Sequence, residues 1–177
     1  MICIDAVRPS DSAGDAEGES SFARRQPKDC RGTKESRRRQ APLNRTTRIT
    51  IPCGVALIRR GREFLVAQRN REDTFGSYWE FPGGKKNPGE TFEECVVREI
   101  MEEIGIEVHV EEKFMEIKKD YKQRIIWLNF YLCSHLAGEP RPLDCQKVCW
   151  TDAAELKKLR FPPANELVIE RLMREYA

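Results

Sequence analysis

Histidine is scarce in this chain, which has 177 residues and two histidines, His109 and His135. They lie far apart in the sequence and stand in apolar surroundings. Nucleophilic catalysis of the serine or cysteine type places a histidine beside the nucleophile as its base. The sequence therefore offers little support for such a site, and both histidines are expected to be ordinary strand or surface residues.

Long apolar runs are also missing. No stretch approaches the ~18 apolar residues that a helix needs to cross a bilayer, so no membrane partner is expected. The first seven residues are too short for a secretory signal and are interrupted by Asp5. A transit peptide would be poor in acidic residues, and this N-terminal region is not.

The cysteines do not form a pattern. There are seven of them, scattered and odd in number. Without a secretion signal they predict reduced thiols and a cytoplasmic protein. Cys145 and Cys149 are four positions apart and have no second pair at zinc spacing, so a zinc site is not expected.

The N-terminal region, residues 1–48, has few aromatic residues and no periodic apolar pattern, which predicts a disordered extension. It holds eleven Lys and Arg against seven Asp and Glu, a net charge of +4. Since the whole chain carries +2, the remainder carries about −2. The run of arginines at 37–39 suits contact with nucleic acid or a membrane surface, and a solvated extension without function is the alternative.

From residue 49 onward, strand-like runs are interspersed with few helices, which predicts an α+β domain over residues 49–177. An antiparallel hairpin is expected first, followed by a polar loop over residues 69–76. The helices are expected at residues 91–104, 152–159 and 165–176. The strands are expected at residues 49–58, 63–68, 107–112, 114–120, 123–135 and 145–151.

The helix predicted at residues 91–104 carries Glu99, Glu102 and Glu103, whose i, i+3, i+4 spacing projects their carboxylates from one side. Like charges at this spacing repel each other, and Mg²⁺ relieves such repulsion by binding carboxylate oxygens together with substrate phosphates. A solvated acidic face is the alternative. The acids flank an expected apolar arc of Val96, Val97, Ile100 and Ile104.

The ends of this helix also have sequence signals. Thr91 and Glu94 form a capping-box pattern, and Gly105 stands where a C-terminal glycine cap belongs. Arg98 is expected to hold the carboxylates by charge-assisted hydrogen bonds. The sequence therefore points to metal-assisted chemistry on a phosphate compound.

The same region resembles the Nudix box, G-x5-E-x7-R-E-U-x-E-E-x-G-U, in which U is bulky and apolar. The matching residues are Gly84, Glu90, Arg98, Glu99, Ile100, Glu102, Glu103, Gly105 and Ile106. The resemblance implies a hydrolase of nucleoside diphosphates linked to another group, folded as an α/β/α sandwich with a mixed central sheet. It also implies a divalent cofactor, Mg²⁺ with Mn²⁺ as the alternative. The acids of the helix would share two roles, metal binding and general-base catalysis. On this basis the catalytic residues are Glu99, Glu102 and Arg98, and the metal ligands are Gly83, Glu99, Glu102, Glu103 and Asp144.

Two flanking segments, residues 79–85 and 161–166, resemble the MutT branch, the 8-oxo-dGTP diphosphatases. In that branch the asparagine after Pro-Pro-Ala, here Asn165, contacts the oxidised guanine, and a helix N-cap is its alternative role. Arg69 is expected to clamp phosphate, with a solvated loop arginine as the alternative. Asp144 is one methylene shorter than the acid usual in the branch, and Thr74 also departs from it. The residues implied in substrate binding are Arg69, Thr74, Glu80, Phe81, Pro82, Gly83, Arg124 and Asn165.

The resemblance therefore implies a cytoplasmic enzyme that hydrolyses 8-oxo-dGTP to 8-oxo-dGMP and pyrophosphate. Such an enzyme sanitises the nucleotide pool for DNA replication. A monomer with a nucleoside triphosphate substrate and no obligatory nucleic acid partner is expected. Three alternatives remain open. They are a related enzyme acting on CTP, an RNA 5′-end pyrophosphohydrolase using the basic extension, and a non-catalytic binding module of the same fold.

Overall fold

A mixed sheet of seven strands forms the centre of the fold. The computed structural model describes residues 48–121 and 124–177. The extension expected to be disordered, residues 1–48, lies outside these described residues except for Arg48. The strands are β1 (Ile49–Arg60), β2 (Glu63–Gln68), β3 (Trp79–Glu80), β4 (Gly83–Lys85), β5 (Glu107–Tyr121), β6 (Arg124–Ala137) and β7 (Lys147–Asp152). The helices are α1 (Phe92–Ile104) and α2 (Glu166–Tyr176), with 3-10 turns at Ala153–Lys158 and Pro163–Asn165.

The sheet runs in the order β3-β2-β1-β6-β5, with β4 paired to β1 and β7 paired to β2. The long central pair, β1 and β6, is parallel, and the other pairs are antiparallel. Side chains alternate between the two faces of a strand, so β1 contributes to two separate cores. Leu57 packs on the α2 side, and Ile58 packs on the α1 side. This arrangement confirms the α/β/α sandwich with a mixed central sheet.

Helix α1 begins and ends as its sequence predicts. The backbone N–H of Glu94 donates to Thr91 Oγ1 at 3.1 Å, and the Glu94 carboxylate accepts from the Thr91 N–H at 2.7 Å. At the other end Gly105 adopts a left-handed conformation, with φ of 73°, and closes the helix. These caps fix where the acidic side chains stand along the helix.

Several predicted boundaries were wrong. The two strands expected at residues 107–112 and 114–120 are one strand, β5, whose register shifts at three places against β6. A bulge adds a residue without ending the strand, and it breaks the alternation that marks a strand in the sequence. The segment at 153–158 is a 3-10 turn instead of a longer helix, and β7 begins at Lys147. Val97 is 42% exposed, so it does not belong to the apolar arc, whose place is taken by buried Cys95.

In the part of the chain that the structure describes, neither helix is long and apolar enough to span a bilayer. Both helices instead bury one side against the sheet. This agrees with the absence of long apolar runs in the sequence.

Candidate active site

The two glycines of β4 allow close packing on both of its sides, Gly83 against β1 and Gly84 against α1. Gly83 has a φ of 148°, and a Cβ there would lie 2.2 Å from the Gly54 carbonyl oxygen on β1. A Cβ on Gly84 would lie 2.3 Å from the carboxylate of Glu99. Real Cβ atoms do not approach neighbours this closely. Glycine is therefore what allows the Glu99 carboxylate to rest against the β4 backbone.

Arg98 is the centre of the polar network on α1. Its guanidinium makes a two-pronged contact with Glu90, at 2.8 and 3.1 Å. It also donates to Glu99 at 2.8 Å, to Glu102 at 3.1 Å and to the Lys85 carbonyl at 3.1 Å. The prediction that Arg98 holds the carboxylates by charge-assisted hydrogen bonds is confirmed.

Glu90 is held more firmly than the other acids of this network. The Arg98 guanidinium lowers the pKa of the Glu90 carboxyl to about 2, chiefly through their hydrogen bonds. The same contact raises the pKa of Arg98 above its ordinary value. Both partners therefore remain charged at neutral pH, and Arg98 keeps a fixed position from which it reaches Glu99 and Glu102.

The third helix acid, Glu103, is buried on the side of α1 that faces β4. Its carboxylate accepts a hydrogen bond from the Gly83 N–H at 3.2 Å. The predicted convergence of all three carboxylates is therefore not present in this structure. Glu99 and Glu102 both accept hydrogen bonds from Arg98, whereas Glu103 accepts one from the backbone of β4.

The chemistry of these groups fits a hard divalent cation, because carboxylate and carbonyl oxygens are the ligands that Mg²⁺ and Mn²⁺ prefer. Among residues 48–121 and 124–177, no three His, Cys, Asp or Glu side chains are already grouped around one point that could hold a metal ion. The Glu102 side chain is 60% exposed, and its ion pair with Arg98 lies at the surface. Such pairs are weak, so the side chain can adopt another rotamer. The residues present thus supply oxygen ligands that suit Mg²⁺ or Mn²⁺, but their side chains are not yet arranged around a single metal position.

A second polar pair lies on the other side of the sheet. Arg69 is 2% exposed and forms a buried ion pair with Glu80. Its Nε also donates to the Thr74 carbonyl at 2.8 Å, which ties the loop after β2 to this pair. Burial raises the pKa of the Glu80 carboxyl above its ordinary value, and the Arg69 guanidinium beside it offsets part of that rise. The alternative of a solvated loop arginine is excluded by this burial.

This ion pair lines a cavity between the sheet and the chain entering α2. Its walls combine an apolar surface with a few polar groups, which is typical of pockets for small molecules. The lining residues are Arg69, Phe75, Glu80, Lys119, Tyr121, Ile126, Leu128, Pro162, Ala164 and Asn165. Three residues expected to bind substrate, Arg69, Glu80 and Asn165, are therefore brought together from distant parts of the sequence.

Asn165 stands at the entrance to α2, but its side chain does not cap the helix. The amide nitrogen donates to the Pro162 carbonyl at 3.4 Å, whereas the amide oxygen is buried and has no partner. One carboxylate oxygen of Glu80, Oε1, is likewise buried without a partner. Unpaired buried acceptors are costly, so two of them lining one cavity indicate a site for a ligand with N–H donors.

The other predicted site residues lie around these two centres. Phe81 is buried and packs on Phe161, with ring centroids 5.3 Å apart, directly beyond Glu80. The Pro82 carbonyl accepts from the Ala56 N–H at 2.8 Å and fixes the chain before β4. Arg124 begins β6, and the Asp144 N–H donates to the Glu103 carbonyl at 3.3 Å near the end of α1.

Sequence reasoning assigned no site role to seven of the ten cavity residues, among them Phe75, Lys119 and Tyr121. It also assigned no separate role to Glu90, although the acid is part of the matched pattern. Lys119 had a signal in the sequence, because it shares the inward positions of an alternating strand with Ile117 and Tyr121. Phe75 had none, since loop residues do not follow a period.

Comparison with known proteins agrees with this geometry. A family model described as the NUDIX domain matches residues 50–172. The chain is 35% identical over 127 residues to an 8-oxo-dGTP diphosphatase of Haemophilus influenzae, covering 72% of this chain and 93% of the relative. It is 37% identical over 125 residues to an 8-oxo-dGTP diphosphatase of Escherichia coli, covering 70% and 97%. A CTP pyrophosphohydrolase of Escherichia coli is 31% identical over 118 residues, covering 67% and 87%.

Solved structures give the same result. The fold is similar to the solution structure of the E. coli ORF135 protein, with a TM-score of 0.67 and 30% sequence identity. That match covers 77% of this chain and 96% of the other. The glycine-supported acidic helix, the sandwich around a mixed sheet and the family match over residues 50–172 lead to one conclusion: the chain belongs to the Nudix hydrolase family.

Proposed function

We propose that this chain is a Mg²⁺-dependent pyrophosphohydrolase that uses water to convert 8-oxo-dGTP to 8-oxo-dGMP and pyrophosphate. The observation that carries the proposal is the buried, unpartnered amide oxygen of Asn165 in a cavity whose walls combine apolar surface with a few polar groups. The two relatives named as 8-oxo-dGTP diphosphatases support it. Removal of the oxidised nucleotide would prevent its misincorporation opposite adenine.

The orientation of the Asn165 amide explains a preference for oxidised guanine. Guanine presents only acceptors, N7 and O6, along its Hoogsteen edge. Oxidation at C8 places a hydrogen on N7 and turns that atom into a donor. Because the amide nitrogen of Asn165 faces Pro162, its oxygen is left to accept, and it would pair with the N7–H but repel a bare N7.

Glu80 supplies a second acceptor in the same cavity. Its Oε1 has no partner, while Oε2 is held by Arg69. Guanine and its oxidised form carry donors at N1 and at the exocyclic amine, and a pyrimidine such as cytosine lacks this combination. Phe81, Thr74 and Arg69 would then shape the pocket around the base by fixing Glu80 and the loop after β2.

On the α1 side, Glu99, Glu102, Glu103 and the Gly83 carbonyl would hold the Mg²⁺, with Asp144 as an additional ligand. A bound divalent ion supplies charge neutralisation at the phosphates and acidifies water. Arg98 positions Glu99 and Glu102, and Glu90 keeps Arg98 in place. Glu99 is proposed to take the proton of the attacking water, since its carboxylate is aligned by Arg98 and by the bare face of Gly84.

The segment from β3 to β4 connects the two centres. Glu80 lines the base cavity, and three residues later Gly83 contacts Glu103 on the opposite side of the sheet. A nucleotide bound across the segment from β3 to β4 would place its base beside Asn165 and its phosphates beside α1. Arg124, at the start of β6, is also proposed to contact the nucleotide.

One alternative substrate has an observation in its favour. The relative named as a CTP pyrophosphohydrolase is 31% identical to the chain over most of its length. The RNA 5′-end alternative depends on residues 1–48, and removal of that segment should abolish RNA hydrolysis if it is correct. All three helix glutamates are present, which disfavours a non-catalytic binding module.

The location and assembly of the protein stay proposals. Cys95, Cys133, Cys145 and Cys149 are free thiols, which suits a reducing cytoplasm. Burial raises the pKa of the Cys133 thiol to about 12 and of the Cys95 thiol to about 11, so both are poorly reactive. A monomer remains the predicted assembly.

The chemistry is tested by identifying the products of 8-oxo-dGTP with Mg²⁺. Chromatography is expected to show one equivalent each of 8-oxo-dGMP and pyrophosphate, and chelation of the metal should stop turnover. Stepwise release of inorganic phosphate, or turnover that survives chelation, would contradict the proposal.

Replacing Gly84 with alanine is expected to lower kcat about tenfold to a hundredfold while leaving the free energy of unfolding nearly unchanged. The new Cβ would meet the far end of the Glu99 side chain at 2.3 Å, so the carboxylate can move aside at little energetic cost but loses its alignment. Steady-state kinetics and urea unfolding measure the two effects.

Gly89→Ala is the matched control for this substitution. Gly89 has a φ of 89° with no atom near its Cβ position, so alanine there strains the backbone without touching Glu99. It should lose roughly 1 kcal/mol of stability and keep its kcat. If Gly84→Ala retained full activity, the close approach of Glu99 to β4 would have no catalytic role.

A further inference from the structure

Lys119 occupies an unusual place on β5. The inner positions of this strand are Met115, Ile117, Lys119 and Tyr121, all partly buried, and the residues between them are exposed. The three neighbours of Lys119 in this set pack against the core on the α2 side of the sheet. A lysine among inward apolar positions requires a reason, because its ammonium loses hydration there.

The side chain of Lys119 lines the same cavity as Glu80 and Asn165. In register it stands opposite Ile126, which also lines that cavity. No hydrogen bond or ion pair links its ammonium to another described residue, whereas neighbouring Lys118 lies over the Trp127 ring at 4.9 Å. Lys119 is therefore a strong donor left available in a pocket whose other unpaired groups are acceptors.

We propose that Lys119 is a specificity-determining residue that donates a charge-assisted hydrogen bond to a carbonyl oxygen of the bound base. The proposal rests on the proposed function and deepens it, since oxidised guanine carries two such oxygens, O6 and O8. Glu80 and Asn165 would satisfy N–H donors, and Lys119 would satisfy a carbonyl. Lysine is a common partner of guanine O6 in other recognition sites.

A phosphate group is a poorer partner for Lys119 on this structure. Glu99, Glu102 and Glu103, which would hold the metal and the phosphates, do not line the cavity that contains Lys119. They belong to α1, which packs on the opposite face of the sheet. The Lys119 ammonium thus lies in the cavity with Glu80 and Asn165 and apart from the acidic helix α1.

The test compares Lys119→Met with the unaltered protein on substrates that differ in their base carbonyls. Methionine keeps an unbranched apolar stem of similar length, and Lys119→Arg restores a cationic donor. Lys118→Met is the matched control, because it removes the adjacent lysine from the exposed face of the same strand. The substrates are 8-oxo-dGTP, dGTP, 8-oxo-dATP and dATP, and the last has no base carbonyl.

Lys119→Met is expected to lower kcat/KM for 8-oxo-dGTP by about tenfold to a hundredfold, with dATP changed by no more than about twofold. Lys119→Arg should recover most of the loss, and Lys118→Met should show none. A parallel loss with dGTP assigns the contact to O6, and a parallel loss with 8-oxo-dATP assigns it to O8. Calorimetric binding of 8-oxo-dGMP should weaken by the same factor.

An equal loss with all four substrates would overturn the proposal, because it would place Lys119 on the shared phosphates or in the packing of the pocket. No loss with 8-oxo-dGTP would overturn it as well. Failure of the proposed function is distinguishable, since the unaltered protein would then show no preference for 8-oxo-dGTP.

Discussion

Replacing Glu99 with glutamine is expected to lower kcat by roughly a hundredfold to ten-thousandfold, the range that a positioned general base contributes. Glutamine keeps the size of the side chain and its place against Gly84. It removes the negative charge and the ability to take a proton from water. It also weakens a proposed metal ligand, so the Mg²⁺ concentration required for half-maximal activity should rise.

The stability of the protein should change little in this variant. The contact of Glu99 with Arg98 is partly exposed, and Arg98 keeps its two-pronged contact with Glu90. Glu170→Gln makes the same chemical change on the exposed side of α2 and is expected to leave kcat unaltered. Equal activity of Glu99→Gln and the unaltered protein would contradict the mechanism.

Asn165→Ala has the second large expected effect, a loss of about a hundredfold or more in kcat/KM for 8-oxo-dGTP. Sites built to hydrogen-bond a polar group discriminate strongly, by up to about ten-thousandfold, because a mismatched partner leaves buried groups unpaired. The loss for dGTP should be much smaller, since the Asn165 oxygen already repels its bare N7. The ratio of the two kcat/KM values should therefore fall towards one.

This change should not destabilise the fold. The Asn165 side chain does not cap α2, its one hydrogen bond is long at 3.4 Å, and its oxygen is unpaired. Asn129→Ala is the matched control, because Asn129 is also buried with an unpaired amide oxygen but does not line the cavity. A preference for 8-oxo-dGTP that survives Asn165→Ala would show that the base is read elsewhere.

The acidic helix could be predicted from the sequence because its determinants are local. The capping box, the glycine cap and the spacing of the acids all lie within about fifteen residues, and the helix begins and ends as expected. The pairing of Arg98 with the acids follows from the same spacing. Local spacing could not predict that the Glu103 carboxylate lies apart from those of Glu99 and Glu102. That separation depends on the Gly83 N–H of strand β4, which donates to Glu103.

The base cavity could be predicted in part, and only by resemblance. Arg69, Glu80 and Asn165 come from a loop, a short strand and a helix entrance, and no periodicity relates them. The buried ion pair of Arg69 with Glu80 is a tertiary contact across eleven residues. The sequence predicts two strands where β5 is one, because a bulge breaks the alternation on which strand prediction depends. The same alternation, once the bulge is known, reveals the inward position of Lys119.

The most direct test of the central claim is a competition assay with the unaltered protein and Mg²⁺. Equal concentrations of 8-oxo-dGTP, dGTP and CTP in one reaction give the ratios of kcat/KM from the rates at which each disappears. The structure predicts that 8-oxo-dGTP is consumed at least about a hundredfold faster than the other two, because only its N7–H can pair with the Asn165 oxygen. Consumption of CTP or dGTP at a comparable rate would contradict the assignment of oxidised guanine as the substrate.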